Sequence, residues 1–200
     1  MTTGYALPIR CLIKELSNFP GVGEKTATRL ALFILTSPEK DAIRLAESIV
    51  EVKKKIRLCP VCFNLADREL CDICRDTTRN KEIICVVSDP DSLAAVEESE
   101  SFKGTYHVLH GLLSPIDGIG PDKLRLQELL DRVSKDSVKE VILATNPSVK
   151  GESTALLIAK LLKGKDVKIT RIALGVPVGG DLRYTDKMTM AKAIEFRRGV

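Results

Sequence analysis

The chain has 200 residues, 44% of them hydrophobic and 29% charged, which is the composition of an ordinary globular protein of one or two domains. A net charge of +4 permits a polyanionic partner without demanding one, and no apolar run approaches the roughly 20 residues of a bilayer span, which argues against a membrane protein. Residues 1–82 hold 14 Lys and Arg against 11 Asp and Glu, so a basic surface there has to come from placement rather than bulk charge.

Met1 to Leu16 carries Arg10, Lys14 and Glu15 and has no apolar stretch followed by a small-residue cleavage site, so the expected compartment is the cytoplasm. Ile9, Leu12, Ile13 and Leu16 recur at i, i+3, i+4 and i+7 and predict a first helix. Phe19-Pro20-Gly21-Val22-Gly23 breaks it, and Leu30, Ala31, Ile34 and Leu35 predict a second. Two helices joined by a tight Gly-Val-Gly turn read as a helix-hairpin-helix. Gly21 and Gly23 allow positive φ and present no side chain, so the backbone can approach another chain closely. The amides opening the second helix suit a phosphate, and Lys25 and Arg29 lie one turn apart on it. These four residues are the candidate contacts to a DNA backbone, sequence-independent by their chemistry. The plainer reading is a helical hairpin with a solvated Lys/Arg pair. Ser37 as N-cap and Pro38 in the first turn predict a third helix, with an apolar face of Ile43, Ala46, Ile49 and Val50 and a solvated end at Lys53-Lys54-Lys55.

Two C-x-x-C knuckles follow, Cys59 to Cys62 and Cys71 to Cys74, separated by eight residues, enough for a small two-stranded loop. Four thiolates so spaced can surround one tetrahedral Zn²⁺, a structural site because no coordination position stays open. Disulfides need an oxidising compartment, and idle thiols are the remaining alternative. Cys85, inside Ile83-Ile84-Cys85-Val86-Val87, reads as a buried thiol.

From Ile83 onward apolar runs at 83–87, 106–109, 141–144 and 167–173 alternate with helical stripes at 92–98, 122–133, 151–162 and 187–197, which predicts a mainly parallel sheet covered on both faces. Functional groups in such sheets sit beyond the C-terminal strand ends, here Ser88-Asp89-Pro90-Asp91, His110-Gly111, Thr145-Asn146-Pro147 and Leu174-Gly175. The acids there are scattered rather than arranged as a Mg²⁺ cage. There is no G-x-x-x-x-G-K-[ST], and Gly118-Ile119-Gly120-Pro121 is no dinucleotide fingerprint. His107 and His110 bracket a strand end, on opposite faces by strand period, and read as structural.

The order of parts resembles the RecR family of bacterial recombination mediators. The likeness covers nearly the whole chain. It includes Phe-Pro-Gly-Val-Gly-Glu-Lys-Thr-Ala at 19–27, Tyr-His-Val-Leu-His-Gly with Leu-Ser-Pro-Ile-Asp-Gly-Ile-Gly-Pro at 106–121, Glu-Val-Ile-Leu-Ala-Thr-Asn-Pro at 140–147 and Gly-Val-Pro-Val-Gly-Gly-Asp-Leu at 175–182. The resemblance implies a helix-hairpin-helix domain over 1–56, a four-cysteine zinc finger over 57–79, a Toprim domain over 80–175 and a C-terminal oligomerisation segment over 176–200, with a Walker B-like stretch around 167–181. It implies a ring-shaped homotetramer that encircles DNA, binds RecO and in some systems RecF, and helps RecA replace single-strand-binding protein on gapped DNA, with no catalysis of its own.

The chain departs from the broader Toprim pattern at two strand ends. Many such domains have glutamate where Ser88 stands, and the catalytic Asp-x-Asp is replaced by Asn146-Pro147-Ser148. The resemblance leaves Asp89 and Glu152 as acids that could dock a partner. The alternative function is a Toprim-type metal-dependent nuclease, topoisomerase or primase using Asp89, Asp91 and Glu152.

Overall fold

The computed structural model describes residues 4–199, and the chain divides into two compact units, 1–56 and 57–200. In the first, helices α1 (Leu7–Ser17) and α2 (Glu24–Thr36) form the expected hairpin, followed by α3 (Glu39–Lys55). The hairpin core is Ile13 against Ala27 and Ala31, flanked by Ile9, Leu12, Leu16 and Val22. Two alanines one turn apart let the helix backbones approach closely. That small-residue ridge displaces part of the expected stripe, and Leu30 and Leu35 are exposed.

Ser37 does not cap α3. Its hydroxyl donates back to the Phe33 carbonyl at 2.7 Å, so it closes α2, and Pro38 takes the N-cap position without a side-chain bond. A serine between two helices can serve either one, and here the local i−4 bond wins. The expected apolar face of α3 exists, but Ile43, Ile49 and Val50 remain about half exposed, and α3 has no buried residue.

The second unit begins with an antiparallel ribbon, β1 (Arg57–Leu58) against β2 (Leu65–Ala66), and a single helical turn, α4 (Asp72–Arg75). The ribbon spans the first cysteine pair rather than forming between the two pairs. Strands β3 (Asn80–Val87), β4 (Gly104–Val108), β5 (Glu140–Leu143) and β6 (Lys168–Arg171) then make one all-parallel sheet in the order β4-β3-β5-β6. Helices α5 (Pro90–Glu98), α6 (Leu126–Lys135), α7 (Val149–Leu162) and α8 (Lys187–Glu195) complete it. The mixed α/β fold with a helical N-terminus, a cysteine ribbon and a C-terminal helix is as expected. Helix α6 starts later than its apolar stripe suggested, because Pro121–Lys123 forms a separate 3-10 turn.

Strand alternation sorts the core. Ile84 and Val86 of β3 point to one face, under Leu129, Ala155 and Ile158 of α6 and α7. Cys85 and Val87 point to the other, with Tyr106, Val108 and Leu93, and there Phe63 and Ile73 of the cysteine region pack against the sheet. Burial pushes the Cys85 thiol up to about 12, so this cysteine is an inert core residue.

Candidate metal centre and nucleic-acid interface

The ligand sulfurs of Cys59, Cys62, Cys71 and Cys74 all lie within 4.8 Å of one another, and the first three are buried. The thiols are free, with the Cys62 and Cys71 sulfurs 3.4 Å apart. Backbone donors shape the first knuckle. Phe63 N–H donates to the Cys59 carbonyl at 2.9 Å, Cys59 N–H to the Asn64 carbonyl at 2.8 Å, and Asn64 N–H to the Cys62 sulfur at 3.5 Å. The electrostatics of the cluster point the same way. Cys62 shares its hydrogen with Cys71, which pushes the Cys62 thiol up and pulls the Cys71 thiol down. Four sulfurs this close cannot all ionise unaided, and a divalent ion at their centre removes the conflict. Four sulfur donors gathered this closely would hold a structural Zn²⁺ and leave no position open for water.

The knuckle is fastened to the sheet. Val108 N–H donates to the Cys62 carbonyl at 2.8 Å, so the knuckle closes the end of the outer edge of β4, while Arg132 of α6 donates to the Tyr106 carbonyl further along it. The two histidines converge on the next residue instead of separating to opposite faces. His107 meets the Phe63 ring edge-on at 5.4 Å, and His110, beyond the strand at φ 58°, donates from Nε2 to the Phe63 carbonyl at 2.6 Å. Strand period does not govern His110 because β4 ends at Val108. Sequence reasoning missed Phe63, whose only signal is a large aromatic directly after a ligand.

In the first unit, Gly21 adopts φ 77° and Gly23 is the N-cap of α2. A Cβ on either would meet nothing within 4 Å, so both face open space. Gly21 is required by its left-handed backbone, whereas no packing within this chain calls for a glycine at 23. The opening turn of α2 has no side-chain cap. Lys25 and Arg29 are exposed on that helix, one turn apart, and neither forms an ion pair among the described residues.

The strand-end acids are engaged locally. Asp89 caps α5, accepting from Ser92 N–H at 2.8 Å and from the Ser88 hydroxyl at 2.7 Å. Burial opposes its charge, but these donors outweigh that and hold its carboxyl below the usual range. Glu152 accepts from Arg171 at 2.7 Å, and Ser148 caps α7 through Gly151 N–H. Asp89, Asp91 and Glu152 do not form a metal-holding group. Among the described residues the four cysteines are the only such group of three or more His, Cys, Asp or Glu. No described helix is long and apolar enough to cross a membrane.

Four family models match successive stretches of the chain. They are the RecR helix-hairpin-helix over 9–53, the RecR four-cysteine zinc finger domain over 56–76, the Toprim domain over 82–173 and the RecR C-terminal region over 175–198. Among curated proteins, Recombination protein RecR of Desulfatibacillum aliphaticivorans is 56% identical over 186 residues, covering 93% of this chain and 94% of that protein. Recombination protein RecR of Heliobacterium modesticaldum is 52% identical over 194 residues, covering 97% and 98%. That of Gloeobacter violaceus is 50% identical over 196 residues, covering 98% and 100%.

Proposed function

Since the chain belongs to the RecR family, we propose that it is a non-catalytic DNA-binding clamp and adaptor in recombinational DNA repair, working in the cytoplasm with RecO, and with RecF where present, to help load RecA on gapped or single-strand-binding-protein-coated DNA. The observation that carries this reading is the turn at 21–29. Two cations with no ion pair among the described residues stand beside a helix start without a side-chain cap and two glycines that open onto empty space. Such a surface offers backbone amides and charge to phosphates and nothing to base edges.

One hairpin makes too few phosphate contacts for useful affinity at cellular salt, so several must act together. The apolar face of α3 left uncovered within the chain supports a homo-oligomer, and a closed ring tetramer would gather the hairpins around DNA. The sheet end supports an adaptor rather than an enzyme, because Asp89 caps α5, Glu152 holds Arg171, and these acids form no metal-holding group among the described residues. Asp89 and Glu152 are the candidate docking acids for a partner. The structural Zn²⁺ would hold the cysteine ribbon in place against the end of β4.

The deciding measurement is DNA binding by the Lys25→Glu/Arg29→Glu chain. Binding should be lost while zinc content and circular dichroism stay at wild-type values. Unchanged affinity would remove the hairpin from the interface.

A further inference from the structure

Phe63 is gripped by both ends of the crossover that leads from β4 to α6. From the near end, the Val108 amide holds the Cys62 carbonyl, His110 Nε2 holds the Phe63 carbonyl at 2.6 Å, and the His107 ring packs edge-on against the Phe63 ring. From the far end, the Arg125 guanidinium sits 5.1 Å over the same ring. The two ends are also tied directly, because His107 Nε2 donates to the Arg125 carbonyl at 2.6 Å and Arg125 N–H donates to the Leu109 carbonyl at 3.2 Å. Phe63 and His110 both have left-handed backbones, at φ 62° and φ 58°. For residues with a bulky Cβ substituent that conformation persists only where the surroundings impose it.

At Phe63 the surroundings that impose it belong to the metal knuckle, namely the Cys59 carbonyl and the Cys62 sulfur that accept from residues 63 and 64. We infer that Phe63 is a positioning residue through which zinc loading sets the conformation of His110–Gly111 and Lys123–Arg125. His110 and Lys123–Arg125 wall a cavity of about 680 Å³ together with Leu58 and Glu128. The zinc site thereby does more than close its own ribbon. With the sulfurs no longer held together, the turn relaxes, Phe63 returns to negative φ, and its carbonyl and ring leave His110 and Arg125.

The middle of the crossover has separate supports. Ser114 and Ile119 pair through two backbone bonds, Leu113 N–H donates to the Thr154 hydroxyl at 2.9 Å, and Lys150 holds Asp117 at 2.6 Å. Zinc loss should therefore loosen the two ends and spare the middle.

Hydrogen exchange on the full chain, read by mass spectrometry or NMR, tests this. Chelating the zinc should raise exchange on the order of tenfold at Val108, Gly111 and Arg125, with Leu113, Ile119 and the amides of β5 and β6 nearly unchanged. Phe63→Asn, which tolerates the left-handed backbone but has no ring, should keep one zinc per chain and raise exchange at Arg125 with zinc bound, while Val108, held through the Cys62 carbonyl, stays protected. Phe63→Tyr should restore protection. Should Phe63→Asn fail to fold, judged by β5 and β6 exchange, Phe63→Leu takes its place with the same expectation at Arg125. The inference is overturned by wild-type protection of Gly111 and Arg125 without zinc, or by full protection of Arg125 in the folded variant. It is equally overturned by exchange rising throughout the unit on chelation, since zinc would then hold the whole unit together and not these segments.

Discussion

Gly151 lies so close to Asn146 that a Cβ built on it would stand 1.9 Å from the Asn146 carbonyl oxygen. The first turn of α7 rests directly on the loop that ends β5. Thr145 donates to the Gly151 carbonyl at 2.9 Å, and Ser148 accepts from the Gly151 amide. Gly151→Ala has no flexible neighbour to displace, because the obstructing atoms are backbone. We expect it to destabilise the second unit by about 1–3 kcal/mol or more, read as a lower denaturant midpoint at unchanged m-value. A neutral result would mean that α7 can move off the strand end at little cost.

Glu97 joins three parts of the second unit. Arg79, between the cysteine region and β3, donates to both its carboxylate oxygens at 2.8 and 2.5 Å, and the Tyr106 hydroxyl donates at 2.6 Å. The Arg79 bonds chiefly hold the Glu97 carboxyl below its usual range. Glu97→Ala leaves a buried phenol without an acceptor and the largely buried guanidinium with only its longer contacts to the Phe102 and Gly104 carbonyls and to Asp76, and should cost about 2–3 kcal/mol. The combined Arg79→Met/Glu97→Ala protein should cost less than the sum of the single changes, which a double-mutant cycle measures directly.

His107 gives stability a distinctive acid dependence. Burial lowers its pKa from 6.5 to about 4, and its Nδ1 has no hydrogen-bond partner among the described residues to receive a second proton. Between those values the unfolded chain binds more protons than the folded one, so stability falls as pH falls. The loss by pH 4 amounts to about 3 kcal/mol. His107→Gln removes this titration, and its stability should be flatter between pH 6.5 and 4 in urea melts. Proton competition at the cysteines is common to both proteins and drops out of the difference. Parallel acid profiles would refute the assignment.

The proposed DNA contact has a salt signature. Replacing Lys25 by Ala should weaken binding on all sequences alike and make the slope of log K against log salt shallower by about 1 for each hairpin engaged. Arg29→Ala should do the same. A slope identical to wild type would place both cations in solvent.

The cysteine pairs and the hairpin glycines are legible in the sequence because their geometry is local. Ligands three residues apart on one turn point the same way wherever that turn sits, and a glycine beside a helix start keeps its freedom in any context. Long apolar runs identify the strands for a similar reason, since a parallel strand buried on both faces needs no partner to be recognised. Ser37 is not legible in this way, because a hydroxyl between two helices satisfies either one. Leu30 and Leu35 mislead because Ala27 and Ala31 allow a closer approach on a neighbouring stripe.

The sequence by itself therefore determined the parts: a helical hairpin with exposed cations, a four-thiol metal site, and a parallel α/β unit without an evident cage of acids. Only the tertiary structure decided how the parts of the second unit meet. The knuckle bonds the end of β4, and His110 reaches Phe63 across 47 residues of chain. Spacing encodes what lies within a few residues of itself, whereas these contacts exist because burying the edge strand and the aromatic ring brings distant segments together.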